Sequence, residues 1–279
     1  ARQVPSFYQD VDDEAQYLHR YKMRMAAPPA AAPLLSESPF TICTERFDTT
    51  IPADPDAHRR ETTERVLACR AVKKDIAFGL QLLRVSEALG VTPEPHLYSY
   101  LAGLMLQLEW YAQVISWYDE LREAKQPSAR SLPLLQALLA ACVCGDQQVR
   151  RAVQTAKALL DLSDHHQRNL LFLDPKAVQT VYHVQEEVPT VLIRLFTELP
   201  PQLLALLVGP KLWDLAHRVL RHQLRYDLAI PTTIMEAFFI EAVEDGAALG
   251  VAYTAFNALQ KGDGCSLPAP VLNTFAQRL

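Results

Sequence analysis

Apolar residues recur every three or four positions along this chain, but only in segments of about a dozen residues before a proline, glycine or capping residue interrupts them. Helices below about 12–15 residues are marginal in water on their own, so such a chain folds only if its helices stack sideways and share their stripes. Leu97, Leu101, Leu104 and Leu108 form one stripe, Val149, Val153, Ala156 and Leu160 another, and Leu249, Ala252, Phe256 and Leu259 a third. The pattern predicts helices near 61–72, 74–89, 96–108, 110–125, 131–144, 147–162, 175–187, 189–199, 211–225, 231–245, 247–261 and 268–279. Asp174-Pro175 reads as an N-cap followed by proline at the first helical position, and Thr233 with Glu236 as a capping box.

Nine glycines in 279 residues, with 49% hydrophobic and 21% charged residues, favour an all-α fold and exclude disorder of the whole chain. The net charge of −5 is the wrong sign for a protein that binds nucleic acid mainly by neutralising phosphates. Cysteines 43, 69, 142, 144 and 265 are odd in number and contain no CxxC pair, so reduced thiols are expected. No run approaches 18 apolar residues, the most apolar stretch being Leu134–Cys144, so no membrane insertion is expected.

Residues 1–60 read differently, as an N-terminal arm. A short helix is expected from Val11 to Met25, followed by an Ala/Pro tract with prolines at 28, 29 and 33 that forbids regular helix. Residues 26–60 should be extended. Asp10, Asp12, Asp13 and Glu14 precede the cluster of Arg20, Lys22 and Arg24, and transit peptides are poor in acids, so this segment is read as mature chain.

Residues 61–279 keep a repeat of about 35 residues. Turns inside helix pairs fall near Lys74, Glu109 and Gly145, and prolines opening pairs at Pro93, Pro127, Pro231 and Pro268, while residues 163–210 keep time less well. Leu82-Leu83 followed by Gly90-Val91-Thr92-Pro93, Trp117-Tyr118-Asp119-Glu120-Leu121 with Lys125 and Pro127, Tyr98-Ser99-Tyr100-Leu101, and Leu138-Leu139-Ala140-Ala141-Cys142 with Gly145-Asp146 together resemble the helix pairs of pentatricopeptide-repeat proteins. The resemblance covers residues 61–162 and 211–279 and implies antiparallel helix pairs stacked into an α-solenoid.

Sequence-reading members of that family select bases with polar side chains at a fixed first-helix position. Here those positions fall near Tyr100, Ala137, Glu236 and Asn273, of which Asn273 alone suits a base. The basic clusters Arg20, Lys22, Arg24 and Arg218, Arg221, Arg225 are the other candidates for RNA contact. No catalytic, cofactor or metal site is expected. Cys142-Val143-Cys144 reads as core, His165-His166 as a solvated loop, His217 and His222 as a solvated helix face, and Tyr98, Tyr100, Tyr111, Trp117 and Tyr118 chiefly as packing. The resemblance implies a mitochondrial matrix location and a non-catalytic scaffold, as a constituent or assembly partner of the mitochondrial ribosome that meets other proteins of a large assembly and touches rRNA or other RNA at few points. Its alternatives are a free-standing RNA-binding factor for transcript stability or processing, which needs a basic groove, and a protein-binding adaptor for a mitochondrial complex.

Overall fold

The computed structural model describes residues 54–279 apart from 146–147, 174, 184–188, 229 and 261–266. The arm, with its expected Val11–Met25 helix and its basic cluster Arg20, Lys22 and Arg24, therefore lies outside the described residues up to residue 53. Twelve α-helices are present and no strand among the described residues: α1 (Pro55–Leu67), α2 (Lys73–Ala88), α3 (Pro95–Gln107), α4 (Tyr111–Glu123), α5 (Leu132–Cys144), α6 (Val149–His166), α7 (Pro175–Val181), α8 (Thr190–Val208), α9 (Trp213–Arg225), α10 (Thr232–Glu244), α11 (Leu249–Gln260) and α12 (Ala269–Arg278). A single 3-10 turn, Pro127–Arg130, precedes α5.

Packing follows two rules. Consecutive helices touch within α1–α2, α3–α4, α5–α6, α8–α9 and α10–α11, and helices one place further on touch along the series α1, α3, α5, α8, α10 and α12. One continuous apolar core results, from Val66 in α1 to Phe275 in α12. Close approach is secured by missing side chains: a Cβ on Gly79 of α2 would sit 2.8 Å from Leu101 of α3, and one on Gly103 would sit 2.9 Å from Tyr182 just after α7.

Three local expectations are corrected. The first helix begins at Pro55, six residues earlier than expected, because Asp54 caps it by accepting from the amides of Asp56 and Ala57 at 2.9 and 3.1 Å and proline occupies the first helical position. Residues 55–60 are thus helical and not extended. The Thr233–Glu236 capping box is not formed, since α10 starts at Thr232 behind Pro231 and has no side-chain cap.

The third correction concerns Pro200-Pro201, where the sequence predicts a helix end. Helix α8 runs through both prolines to Val208. Each interior proline costs about 3 kcal/mol. Leu203, Leu204 and Leu207 continue the buried stripe of Leu192, Leu195, Phe196 and Leu199, and burying a leucine contributes about 1.5–3 kcal/mol, which offsets the lost bonds. The uninterrupted helix is long and apolar enough to cross a membrane by length and composition alone, although Arg194, Thr197, Glu198 and Gln202 interrupt its apolar residues. Its buried stripe lies in the core, while Arg194, Glu198 and Gln202 are exposed.

Most helices close on a residue with left-handed backbone, and six of these are not glycine: Glu109, Lys125, Gln167, His183, Lys211 and Asp227. After α2 the same role falls to Gly90, with Val91 N–H donating to Ser86 and Gly90 N–H to Glu87, which satisfies two end carbonyls. A Cβ in this conformation costs about 1–2 kcal/mol. Gln167→Gly, at the exposed end of α6, is expected to stabilise by about 1 kcal/mol and to raise Tm by about 2–4 °C, measured by thermal melting. A lower Tm would mean that the Gln167 side chain holds the following loop.

Candidate functional site

Helix α9 is two-faced because its apolar residues fall at i, i+4 and i+5. Leu215, Ala216, Val219, Leu220, His222 and Gln223 are buried, and Arg218, Arg221, Leu224 and Arg225 are exposed. The expected basic row therefore exists as geometry. Its charge does not stay free: Arg218 donates to Asp161 at 2.8 Å and to Asp164 at 3.2 Å, both on α6. Those bonds raise the Arg218 pKa against its partial desolvation. Arg221 and Arg225 have no ion-pair partner among the described residues, and the Arg225 guanidinium lies 5.5 Å from the Tyr226 ring. The row thus offers a phosphate two uncompensated cations.

Asn273 is exposed on α12. The equivalent positions are spoken for: Tyr100 donates to the carbonyls of Leu67 and Cys69 at 3.1 and 2.6 Å, Ala137 is fully buried, and Glu236 is half-buried. No row of base-selecting side chains runs along the first helices of the pairs. Tyr98, Trp117 and Tyr118 are buried, Tyr98 stacking on Trp117 at 6.0 Å, and Tyr100 and Tyr111 are half-buried, so packing absorbs these rings.

The histidine reading needs correction. His222 is 5% exposed, donates from Nε2 to the Asn169 amide oxygen at 2.9 Å, and lies against Tyr226 and Phe172. Burial, more than any neighbour, pushes its pKa down to about 4, Arg225 adding to the shift and Asp164 opposing it. His217 is half-buried, bonds to Thr254 at 2.9 Å, and its pKa is lowered by burial and then by Arg221. His165 and His166 are exposed, as expected of a loop, although they close α6.

Cys142 is fully buried and Cys144 half-buried; burial pushes both thiols up to about 12, as it does Cys69. These three cysteines are free. Among the described residues no group of three His, Cys, Asp or Glu is placed to hold a metal ion.

Polar links between helix pairs, absent from the expectations, recur among the described residues. Arg84 of α2 pairs with Glu120 of α4, 36 residues on. Asp119 of α4 accepts from Arg151 of α6, 32 residues on, at 2.7 and 2.8 Å. Lys211 pairs with Asp245, 34 residues on, at 2.6 Å, and His217 bonds Thr254, 37 residues on. Opposite charges 32 to 36 residues apart are a signal the sequence carries.

No family model, curated protein or solved structure matches this chain.

Two titratable groups, buried His222 and half-buried Glu87, give the fold opposed pH dependences. His222 has a folded pKa below its ordinary 6.5, so its contribution is complete above pH 6.5 and is lost as pH falls toward 4, a loss of about 3 kcal/mol. Glu87, which accepts from the Tyr98 hydroxyl, is raised from 4.5 to about 7, by burial first and by Glu120 as well, against the hydrogen bond and Arg84. Its contribution is complete below pH 4.5 and is lost as pH rises through 7. Urea unfolding from pH 4 to 8 should show His222→Gln flattening the acid decline and Glu87→Gln flattening the alkaline one. Slopes unchanged in both variants would contradict the burial argument. In the same assay at pH 7, Arg218→Ala is expected to cost about 1 kcal/mol, while Arg221→Ala and Arg225→Ala stay within about 0.5 kcal/mol. Equal effects would place no weight on the link from α9 to α6.

Proposed function

We propose that this chain is a non-catalytic scaffold, an α-solenoid of antiparallel helix pairs that holds proteins of a mitochondrial ribonucleoprotein assembly together, with the mitochondrial ribosome as the assembly that the pentatricopeptide resemblance favours. The observation that carries the reading is the series of polar ties between successive pairs, spaced 32 to 37 residues apart and joining one second helix to the next or one pair to the next. Such ties repeat because the unit repeats, and each contributes about 1 kcal/mol or less while fixing the angle between neighbours. A stacked array of this kind offers a long surface to partners.

Electrostatics favours protein partners over a free-standing RNA-binding role. Net charge is −5, and Arg218, Arg84, Arg151 and Lys211 are each paired with a carboxylate of the same chain. RNA contact then rests on Arg221, Arg225 and Asn273, and on Arg20, Lys22 and Arg24 of the arm. The isolated chain should bind single-stranded RNA weakly, with a salt slope near that of two or three phosphates at about 0.7 each. Filter binding from low to high salt tests this. Tight, sequence-selective binding with a steep slope would replace the scaffold by a transcript-binding factor.

A further inference from the structure

We infer that the cleft between α8 and α10 is a docking site for a basic, amphipathic peptide segment of a protein partner. The inference rests on the scaffold reading and names where, and by what chemistry, one partner is held. The cleft has a volume of about 530 Å³, and its floor is apolar: Leu204 and Val208 from α8, Ile234 and Phe238 from α10. Phe238 is buried and held edge-on by Trp213 of α9 at 5.7 Å, so the floor is preformed. The walls stay open because their exposed positions, Ala205 and Ala237, carry only a methyl group. Concave apolar sites of a few hundred Å³ with a few placed polar groups are where side chains of a ligand insert.

Charge selects the occupant. Glu241 and Asp245 stand one turn apart on the rim, with exposed Glu244 beside them, and Lys211 answers Asp245 at 2.6 Å. Three carboxylates against one ammonium leave the rim net negative, and Glu241 has no ion-pair partner among the described residues. An incoming segment therefore needs apolar side chains for the floor and a Lys or Arg beside them for Glu241. Nucleic acid is disfavoured by the same rim, since phosphates would meet like charge. Helix-in-groove recognition, with anchors at i, i+3 or i+4, matches a cleft walled by two helices.

The probe is a phage-displayed library of random 16-residue peptides, selected on the full chain. Enriched peptides are expected to carry two or three apolar anchors flanked by Lys or Arg, and to bind at least tenfold more weakly to Glu241→Lys and to Ala237→Trp, which reverses the rim and fills the cleft respectively. Circular dichroism melts of both variants should match the parent, because both positions are exposed. Enrichment of acidic or uncharged peptides, binding that neither variant weakens, or no enrichment at all would overturn the proposal. So would competition by an RNA oligonucleotide pool, or a concentration-dependent dimer in sedimentation that Ala237→Trp abolishes, which would give the cleft to nucleic acid or to a second copy. The scaffold reading fails separately, through tight and salt-steep RNA binding by the isolated chain.

Discussion

Burial of α5 on nearly every side is the constraint on which the rest of the fold depends. Nine of its thirteen residues are buried, from Leu134 to Val143, and it packs against α3, α4, α6 and α8. No helix of this length is stable alone. Helices α4, α6 and α8 each bury one apolar stripe against α5, and α3, with nine of its own thirteen residues buried, depends on α5 as much as α5 depends on it. A leucine truncated there would lose about 2–5 kcal/mol, a large part of the 5–15 kcal/mol by which domains are stable. Helix α8 extends this arrangement toward the C-terminal helices. It takes the place next to α5 and carries α9 and α10 on its other sides, despite two interior prolines.

Small side chains and left-handed closures set how closely the helices approach. Gly79 and Gly103 let α2 and the end of α7 press on α3, and the tight turns after α3 and α4 are made at Glu109 and Lys125 without glycine. Glycine thus stands at both close approaches, while several helix ends accept the local strain of a left-handed side-chain-bearing residue. The polar ties at one-repeat spacing lie over this apolar base and fix orientation more than they add stability.

Much of this was legible in the sequence, and the residues say why. The twelve expected helices and the twelve observed agree because helical periodicity reports burial directly, as in Leu97, Leu101 and Leu104, all buried. The α8 extension was not legible, since a proline pair is a local stop signal and the compensating leucines act only through tertiary contact. His222 looked solvated because its partner Asn169 lies 53 residues away, across the irregular middle of the chain. Arg218 looked free for the same reason, its carboxylates standing 54 and 57 residues earlier. Pairs 32 to 37 residues apart follow the spacing of successive helix pairs; those from α9 to α6 and the loop after it, 53 to 57 residues apart, do not.

The central proposal is a scaffold that acts through its surface. Sedimentation of the full chain, tagged in its own cells and resolved on a gradient after gentle lysis, tests that most directly. The account predicts that the chain travels in a large particle with a fixed set of proteins and RNA. A chain that sediments alone as a free monomer, or solely with RNA and no fixed protein partner, would contradict it.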